Sequence, residues 1–500
     1  MIYTWIVVLG GFFAFIASMG IGANDVANAY ATAVGSKALT IKQSVFMAMF
    51  FETSGAILMG SHVSKTIRKG ISDYQCFEDD PGSLMYGCMW VCFSVGLWLL
   101  IASKYEMPVS TTHSCVGGMI GMTIALKGIN CVTWYEKRDI FPYIGGVSGI
   151  ILSWIISPIV SALISSLLFI IIRNFILRSE NSINRTSFLF PVLIGGTVSL
   201  NAFFIIYKGA KGLGLNETSL DTACYWSFGT GLTIALIVTP FLNKIKSNIL
   251  RNNSINLVIN ETRIIQNDSI EEEINISNNN SIYCPSVLNH INKSLKINID
   301  DIVKNDSTVM NIHNNAEIFD SNTEEYFKYL QIFTAMCDSF SHGANDVANA
   351  IGPFMAIYII SKKGVVKSEN SLGNGAYIIL ALGGLGISLG LLLYGYKILH
   401  AIGTKLCKIS PSRGTAIELA SAVVIITGSR LEIPLSTTHC QIGATVGVAA
   451  LENNKNYNGI NMKIVYKCIL GWVMTLIVVG SFTALLVAQG SYSPEVGNEC

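Results

Sequence analysis

Charge is scarce in this sequence. Only 13% of its 500 residues are Asp, Glu, Lys or Arg, against about 25% in soluble globular domains. The deficit is global, and apolar residues make up 51% of the chain. Together these exclude an ordinary soluble domain and point to an all-α polytopic membrane protein. The net charge is +1, which offers no field for nucleic acid. The 12 cysteines contain no CxxC pair and no His/Cys cluster. Several, such as Cys92, Cys407 and Cys468, sit inside apolar runs and read as buried thiols. With no catalytic triad or zinc-ligand motif, nothing suggests an enzyme or an organic cofactor. No basic segment or small-residue cleavage site accompanies the apolar run from Ile2, so that run reads as a first membrane helix, not a removed signal.

What is present is a series of apolar runs. A bilayer core takes about 20 residues per helix. Candidate spans fall near 2–20, 41–60, 84–102, 140–172, 188–207, 224–242, 327–341, 376–396, 414–429 and 464–488. Shorter apolar stretches after Pro108 and Pro434, interrupted by glycines, read as helix halves or re-entrant segments. The expected total is about ten to twelve membrane helices.

Residues 243–326 differ in kind. They are dense in Asn, Ser, Asp and Glu, with Asn278-Asn279-Asn280 and Glu271-Glu272-Glu273. Such a stretch cannot bury enough apolar surface to fold alone. It reads as a disordered linker, dispensable over roughly 260–315, between membrane halves 1–242 and 327–490; a small regulatory domain is the alternative. Residues 491–500 form a short tail. Arg173, Arg178 and Arg185 lie in one short loop, and Lys244, Lys246 and Arg251 open the linker two helices later. The positive-inside rule makes that side cytoplasmic. The loop at 208–223, with the sequon Asn216-Glu217-Thr218, is then outside.

Two passages recur almost verbatim. Gly22-Ala23-Asn24-Asp25-Val26-Ala27-Asn28-Ala29 returns as Gly343-Ala344-Asn345-Asp346-Val347-Ala348-Asn349-Ala350. Glu106-Met107-Pro108-Val109-Ser110-Thr111-Thr112-His113 returns as Glu432-Ile433-Pro434-Leu435-Ser436-Thr437-Thr438-His439. Internal duplication is typical of secondary transporters. An odd number of crossings between the copies would make the repeats inverted, and the span count allows it.

The Pro-x-Ser-Thr-Thr runs carry anion chemistry. Proline suits a helix start, and Ser or Thr suits the cap before it. Each run reads as the N-terminus of a half-helix, with free N–H groups and a positive dipole end. Hydroxyls of Ser110, Thr111, Thr112, Ser436, Thr437 and Thr438 add donors. Two such ends meeting would hold a tetrahedral oxyanion without arginine; simple capping is the competing reading. Asn24-Asp25 and Asn345-Asp346 are intramembrane polar pairs, expensive and therefore functional candidates. Gly22 and Gly343 suggest an unwound helix there. Asn28 and Asn349 follow one turn later. Carboxylate, amide oxygen and freed carbonyls make an oxygen cage for a hard cation; a polar packing cluster is the alternative. Asp25, Asp346 and Asn345 would also face the anion.

Glu52 and Glu418 are further mid-span carboxylates, suited to cation handling; carrying a proton or pairing with a basic residue are the alternatives. They are not equivalent, since counting back from the Pro-Ser-Thr-Thr runs sets Cys92 opposite Glu418. His113 and His439 read as rings bonded to a carbonyl, with gating by protonation as the alternative. Arg413 reads as an interfacial anchor, with a phosphate contact as the alternative, and Glu106 and Glu432 as interfacial residues.

These duplicated motifs, with Phe51-Glu52-Thr53 and Ile417-Glu418-Leu419-Ala420-Ser421, closely resemble the inorganic phosphate transporter (PiT) family across both membrane halves. The resemblance implies about twelve helices in two inverted repeats, a cytoplasmic central loop, cation-coupled phosphate uptake at the plasma membrane and homodimers. It carries the substrate and cation roles onto Asn24, Asp25, Glu52, Ser110, Thr111, Thr112, Asn345, Asp346, Glu418, Ser436, Thr437 and Thr438. Sodium is the expected coupling ion, because bringing a monovalent anion into a negative interior costs about 2.3 kcal/mol per 100 mV and two Na+ reverse the sign. Proton-coupled phosphate or sulfate uptake is the alternative. An anion channel needs no cation site, so the duplicated Asn-Asp pairs speak against it.

Overall fold

Backbone groups in hydrocarbon must bond within their own segment, so apolar runs of this length become helices. The computed structural model describes residues 3–139, 142–207, 215, 218–266, 303–366, 375–452 and 459–492. α1 (Thr4–Ile21) passes through one π-helical turn (Gly22–Val26) into α2 (Ala27–Gly35). Then come α3 (Ile41–Lys69), α4 (Pro81–Lys104), α5 (Thr111–Lys127), α6 (Gly146–Ile172), α7 (Ser182–Ile206) and α8 (Leu220–Gln266). After the central segment follow α9 (Ser307–Asn315), α10 (Ser321–Lys363), α11 (Gly375–Tyr394), α12 (Tyr396–Gly403), α13 (Pro411–Arg430), α14 (Thr437–Ala450) and α15 (Met462–Ser491). Eight described stretches are long and apolar enough to cross a membrane.

A disulfide between Cys76 and Cys131 ties the α3–α4 loop to the α5–α6 loop. The buried-thiol reading fails for this pair: both lie in polar loops between helices, where the chain can bring them together. These loops define one side of the molecule. α6 leaves that side and ends at Arg173, and Lys246 of α8 donates to Asn184 at the start of α7. The central segment therefore leaves from the opposite, linker side.

The repeats are inverted. Gly10 of α1 lies against Phe354 and Ile357 late in α10, whereas Ser36 after α2 donates to Gln331 early in α10 at 2.6 Å. The two copies of the Gly-Ala-Asn-Asp motif thus run antiparallel. Helices α4 and α5 form a hairpin entered from the disulfide side, with its tip at 105–110. Helices α13 and α14 form its counterpart from the linker side, where Arg413 pairs with Glu452 at 2.6 Å. Its tip is 431–436.

The expected unwinding at the Asn-Asp motifs does not occur. The first copy keeps a π turn, and α10 runs through the second copy without a break. The glycines serve close approach instead. A Cβ on Gly22 would strike the carbonyl of Ile387 in α11, and one on Gly343 would strike the carbonyl of Glu52 in α3.

Helix also enters both ends of 243–326. α8 runs to Gln266, and α9 docks through buried Val309 and Ile312. His313 Nε2 lies 2.9 Å from Thr404 O, and Lys408 Nζ donates to His313 O at 3.2 Å. Composition averaged over the whole stretch hides this short amphipathic turn. Asn216, Asn278–Asn280, Glu271–Glu273 and the tail from 493 lie outside the described residues. Excising 268–300 is expected to leave phosphate half-saturation within about twofold, since polar sequence poor in apolar residues has little to dock onto the membrane helices. Extending the cut through α9 should lower the unfolding temperature. Uptake and thermal unfolding of the two variants check this, and equal behaviour would remove the structural role of α9.

Candidate functional site

The two hairpin tips meet in the interior. Ser110 caps α5 and Ser436 caps α14, each accepting from the N–H of the following His113 or His439 at 3.3 Å. The capping reading therefore holds for these two hydroxyl oxygens, while their protons remain free to donate. The threonines cross-link the tips: Thr112 Oγ1 donates to Leu435 O at 2.9 Å, and Thr438 Oγ1 donates to Val109 O at 3.3 Å.

Each aspartate faces a helix start. Asp25 accepts from Thr111 N at 3.1 Å and from the Thr438 hydroxyl. Asp346 accepts from the Thr437 hydroxyl and from Asn349 Nδ2, the latter at 3.1 Å. Asn349 Nδ2 also reaches Thr111 Oγ1 at 3.1 Å, and Asn28 Nδ2 reaches Thr438 Oγ1 at 3.4 Å. Asn24 is a splint: it donates to Ser103 Oγ and Met107 O and accepts from Val109 N. With its amide oriented to satisfy both ends, Asn345 donates to Leu435 O and accepts from Ser429 Oγ. In contrast, Asn28 Oδ1 and Asn349 Oδ1, which occupy equivalent positions, are buried acceptors with no donor. None of the motif Ser, Thr, Asn and Asp residues is more than 3% exposed, so the centre is occluded.

Glu52 joins this centre from α3, accepting from Ser339 Oγ at 3.0 Å and pairing with His342 Nδ1 at 2.9 Å. His342 Nε2 lies 2.9 Å from Asp346 Oδ2 but out of line for a hydrogen bond. Ligand atoms of Asp25, His342 and Asp346 fall within 4.8 Å of one another, close enough to share one ion. Glu418 stands apart, toward the linker side. It accepts from Thr32 and Thr334 at 2.6 Å and from Gln331 at 3.0 Å.

The sequence reading missed His342, Ser339, Gln331, Thr334 and Thr32. A signal existed: Gln331, Thr334, Asp338, His342, Asp346 and Asn349 recur every three or four residues, one face of α10. His439 bonds a carbonyl as expected, with Nδ1 2.9 Å from Trp154 O; His113 instead stacks on the Trp154 ring at 3.6 Å. Arg413 is not an interfacial anchor. It is 2% exposed, paired with Glu452 and set against the rings of Phe169 and Phe319. Cys92 points its thiol at Ala350 O. Glu106 and Glu432 adopt left-handed φ of 55° and 57° and pair with Lys405 and Lys65 at 3.0 and 3.3 Å.

The profile of the phosphate transporter family matches residues 21–483. The chain belongs to that family. A protein of Pyrococcus abyssi that carries the name phosphate permease is 33% identical, over 93% of both chains. A phosphate-repressible phosphate permease of Neurospora crassa is 28% identical over 99% of both. Sodium-dependent phosphate transporter 1 of Mus musculus is 25% identical, covering 98% of this chain and 95% of its own. A solved structure titled "The sodium-dependent phosphate transporter" superposes with a TM-score of 0.74 at 30% identity, covering 98% of this chain and 99% of its own. This phosphate transporter is thus a multi-pass membrane transporter, not an enzyme, and its two occluded hairpin tips lie where the chain's own repeated motifs converge.

Proposed function

We propose that this phosphate transporter imports inorganic phosphate together with sodium ions by alternating access. The observation that carries the reading is the pair Asn28 Oδ1 and Asn349 Oδ1, buried without donors beside Asp25 and Asp346. An orphaned buried acceptor is costly, and amide oxygen beside carboxylate is what a hard cation takes. Asn24, Asn345, Glu52 and Glu418 complete the cation-handling set, the first two mainly as splints.

Phosphate fits between the tips. The N-termini of α5 and α14 supply backbone N–H groups and positive dipole ends. Ser110, Thr111, Thr112, Ser436, Thr437 and Thr438 supply hydroxyls, and Asp25 and Asp346 can accept phosphate's own protons, which sulfate lacks. Three carboxylates already crowd the centre, with His342 as the basic group among them. An anion enters such a place only when cations enter with it. The names of the mouse relative and of the solved structure support sodium as that cation.

Sidedness follows from two independent chemistries. Arg173, Arg178, Arg185, Lys244 and Lys246 gather on the linker side, which favours the cytoplasm. The Cys76–Cys131 disulfide lies on the other, which favours an oxidising exterior. Residence in the plasma membrane and assembly as a homodimer belong to the proposal on the family resemblance.

The expected result in proteoliposomes is phosphate uptake that requires Na+ and carries net positive charge inward. Uptake unchanged when choline replaces Na+ at fixed pH would rule out sodium coupling. The bridge of His342 between Glu52 and Asp346 favours a second reading, proton coupling, for which uptake would follow an imposed pH gradient in the absence of Na+.

A further inference from the structure

Asp338 lies on α10, one turn after Thr334 and one turn before His342. It is 1% exposed, and neither of its carboxylate oxygens has a hydrogen-bond partner. The Thr334–Glu418 and Asn345–Ser429 contacts set α10 and α13 in parallel register, which brings Ser421, one turn after Glu418, opposite Asp338. The Ser421 hydroxyl is buried and unpartnered too, as is the hydroxyl of Tyr30 on α2, the helix that reaches the same face where Thr32 bonds Glu418. Successive turns of α10 therefore present three rungs. Thr334 bonds Glu418 on the linker side, Asp338 faces Ser421 in the middle, and His342 bonds Glu52 at the centre.

A bare carboxylate in a dry interior is strongly disfavoured unless something positive meets it. The rungs on either side hold Glu418 toward the linker and His342 with Glu52 toward the centre, two carboxylates against one ring. The unpartnered atoms of Asp338, Ser421 and Tyr30 are all oxygens, the ligand set of a hard alkali cation. We propose that Asp338, Ser421 and the Tyr30 hydroxyl form a further sodium station, placed between Glu418 and the central site. It extends the sodium reading above and rests on it. The station lets a cation step from one carboxylate to the next along α10 without crossing an apolar gap.

The competing explanation is a neutral, protonated Asp338 held for packing. Asp338→Asn separates the two, because it copies the neutral acid in shape. In proteoliposomes at fixed pH, Asp338→Asn should raise the half-activating Na+ concentration about tenfold. Ser421→Ala should raise it about threefold, as loss of one ligand oxygen does. Phosphate half-saturation at saturating Na+ should stay within about twofold. The rise in unfolding temperature that Na+ produces without phosphate should shrink in both variants. Wild-type Na+ activation and an undiminished thermal shift in both would overturn the station. If Asp338→Asn fails to fold, Ser421→Ala carries the same two measurements. Should wild-type uptake ignore Na+ while Na+ still stabilises the protein through Asp338, the coupling reading falls and the station stands.

Discussion

Replacing Asp25 or Asp346 by Asn is expected to abolish phosphate uptake in a protein that still folds. The substitution keeps shape and removes charge. At this depth the carboxylate offsets much of an ion's desolvation, so its loss should cost about 3–5 kcal/mol of cation binding. The hydrogen bonds suffer as well. Asp25 accepts from Thr111 N, from the Thr438 hydroxyl and, at 3.5 Å, from Asn28 Nδ2. An amide nitrogen in that ring of donors would face donors. A packing role predicts the reverse, because removing a buried charge often stabilises a bundle. Ser110→Ala and Ser436→Ala should act more mildly. Each removes a helix cap worth about 1 kcal/mol, so the unfolding temperature should drop alongside phosphate affinity. Titrating uptake with Na+ and phosphate on all four purified variants, with thermal unfolding beside it, provides the test. Near wild-type sodium activation in both Asp variants would leave these aspartates as structural residues.

A single methyl group at Gly343 should be almost as damaging. Its Cβ would overlap the Glu52 carbonyl and approach the Glu52 Cα to 2.7 Å. Backbone cannot step aside as a flexible side chain can, so α3 must move away from α10. Overpacking of this kind costs about 1–3 kcal/mol or more. The same shift draws the Glu52 carboxylate away from Ser339 and His342. Gly343→Ala is therefore expected to lose uptake more than about tenfold and to unfold at lower temperature. Gly22→Ala should do likewise against Ile387. Gly196, in the middle of α7, meets nothing within 4 Å, so Gly196→Ala should be neutral or slightly stabilising. Equal unfolding temperatures for Gly343→Ala and Gly196→Ala would contradict the close approach.

Much of this was legible in the amino-acid order. Apolar run lengths located most helices, because a hydrocarbon solvent leaves the backbone few options. The duplicated Pro-Ser-Thr-Thr runs marked the hairpin tips, since proline and hydroxyl residues are local instructions. Gly22 and Gly343 were misread: glycine permits both unwinding and close approach, and only the neighbouring helix decides which. His342 escaped because its meaning depends on Glu52, 290 positions away in sequence. The Cys76–Cys131 pairing needed the fold of two loops. Helix at 307–315 needed its docking surface near Thr404 and Lys408.

The lysine–glutamate pairs at the two tips lead to one more consequence. Lys405 holds Glu106 on one side of the molecule, and Lys65 holds Glu432 on the other, in mirrored backbone settings. Releasing one tip leaves its twin fastened. In the alternating access proposed above, the contacts broken on one face resemble those made on the other, so the two open forms should lie close in energy. Neither direction of travel is then favoured by the protein itself. On the proposed mechanism such a molecule would run as a reversible turnstile, its net flux set by the ion and phosphate gradients outside it.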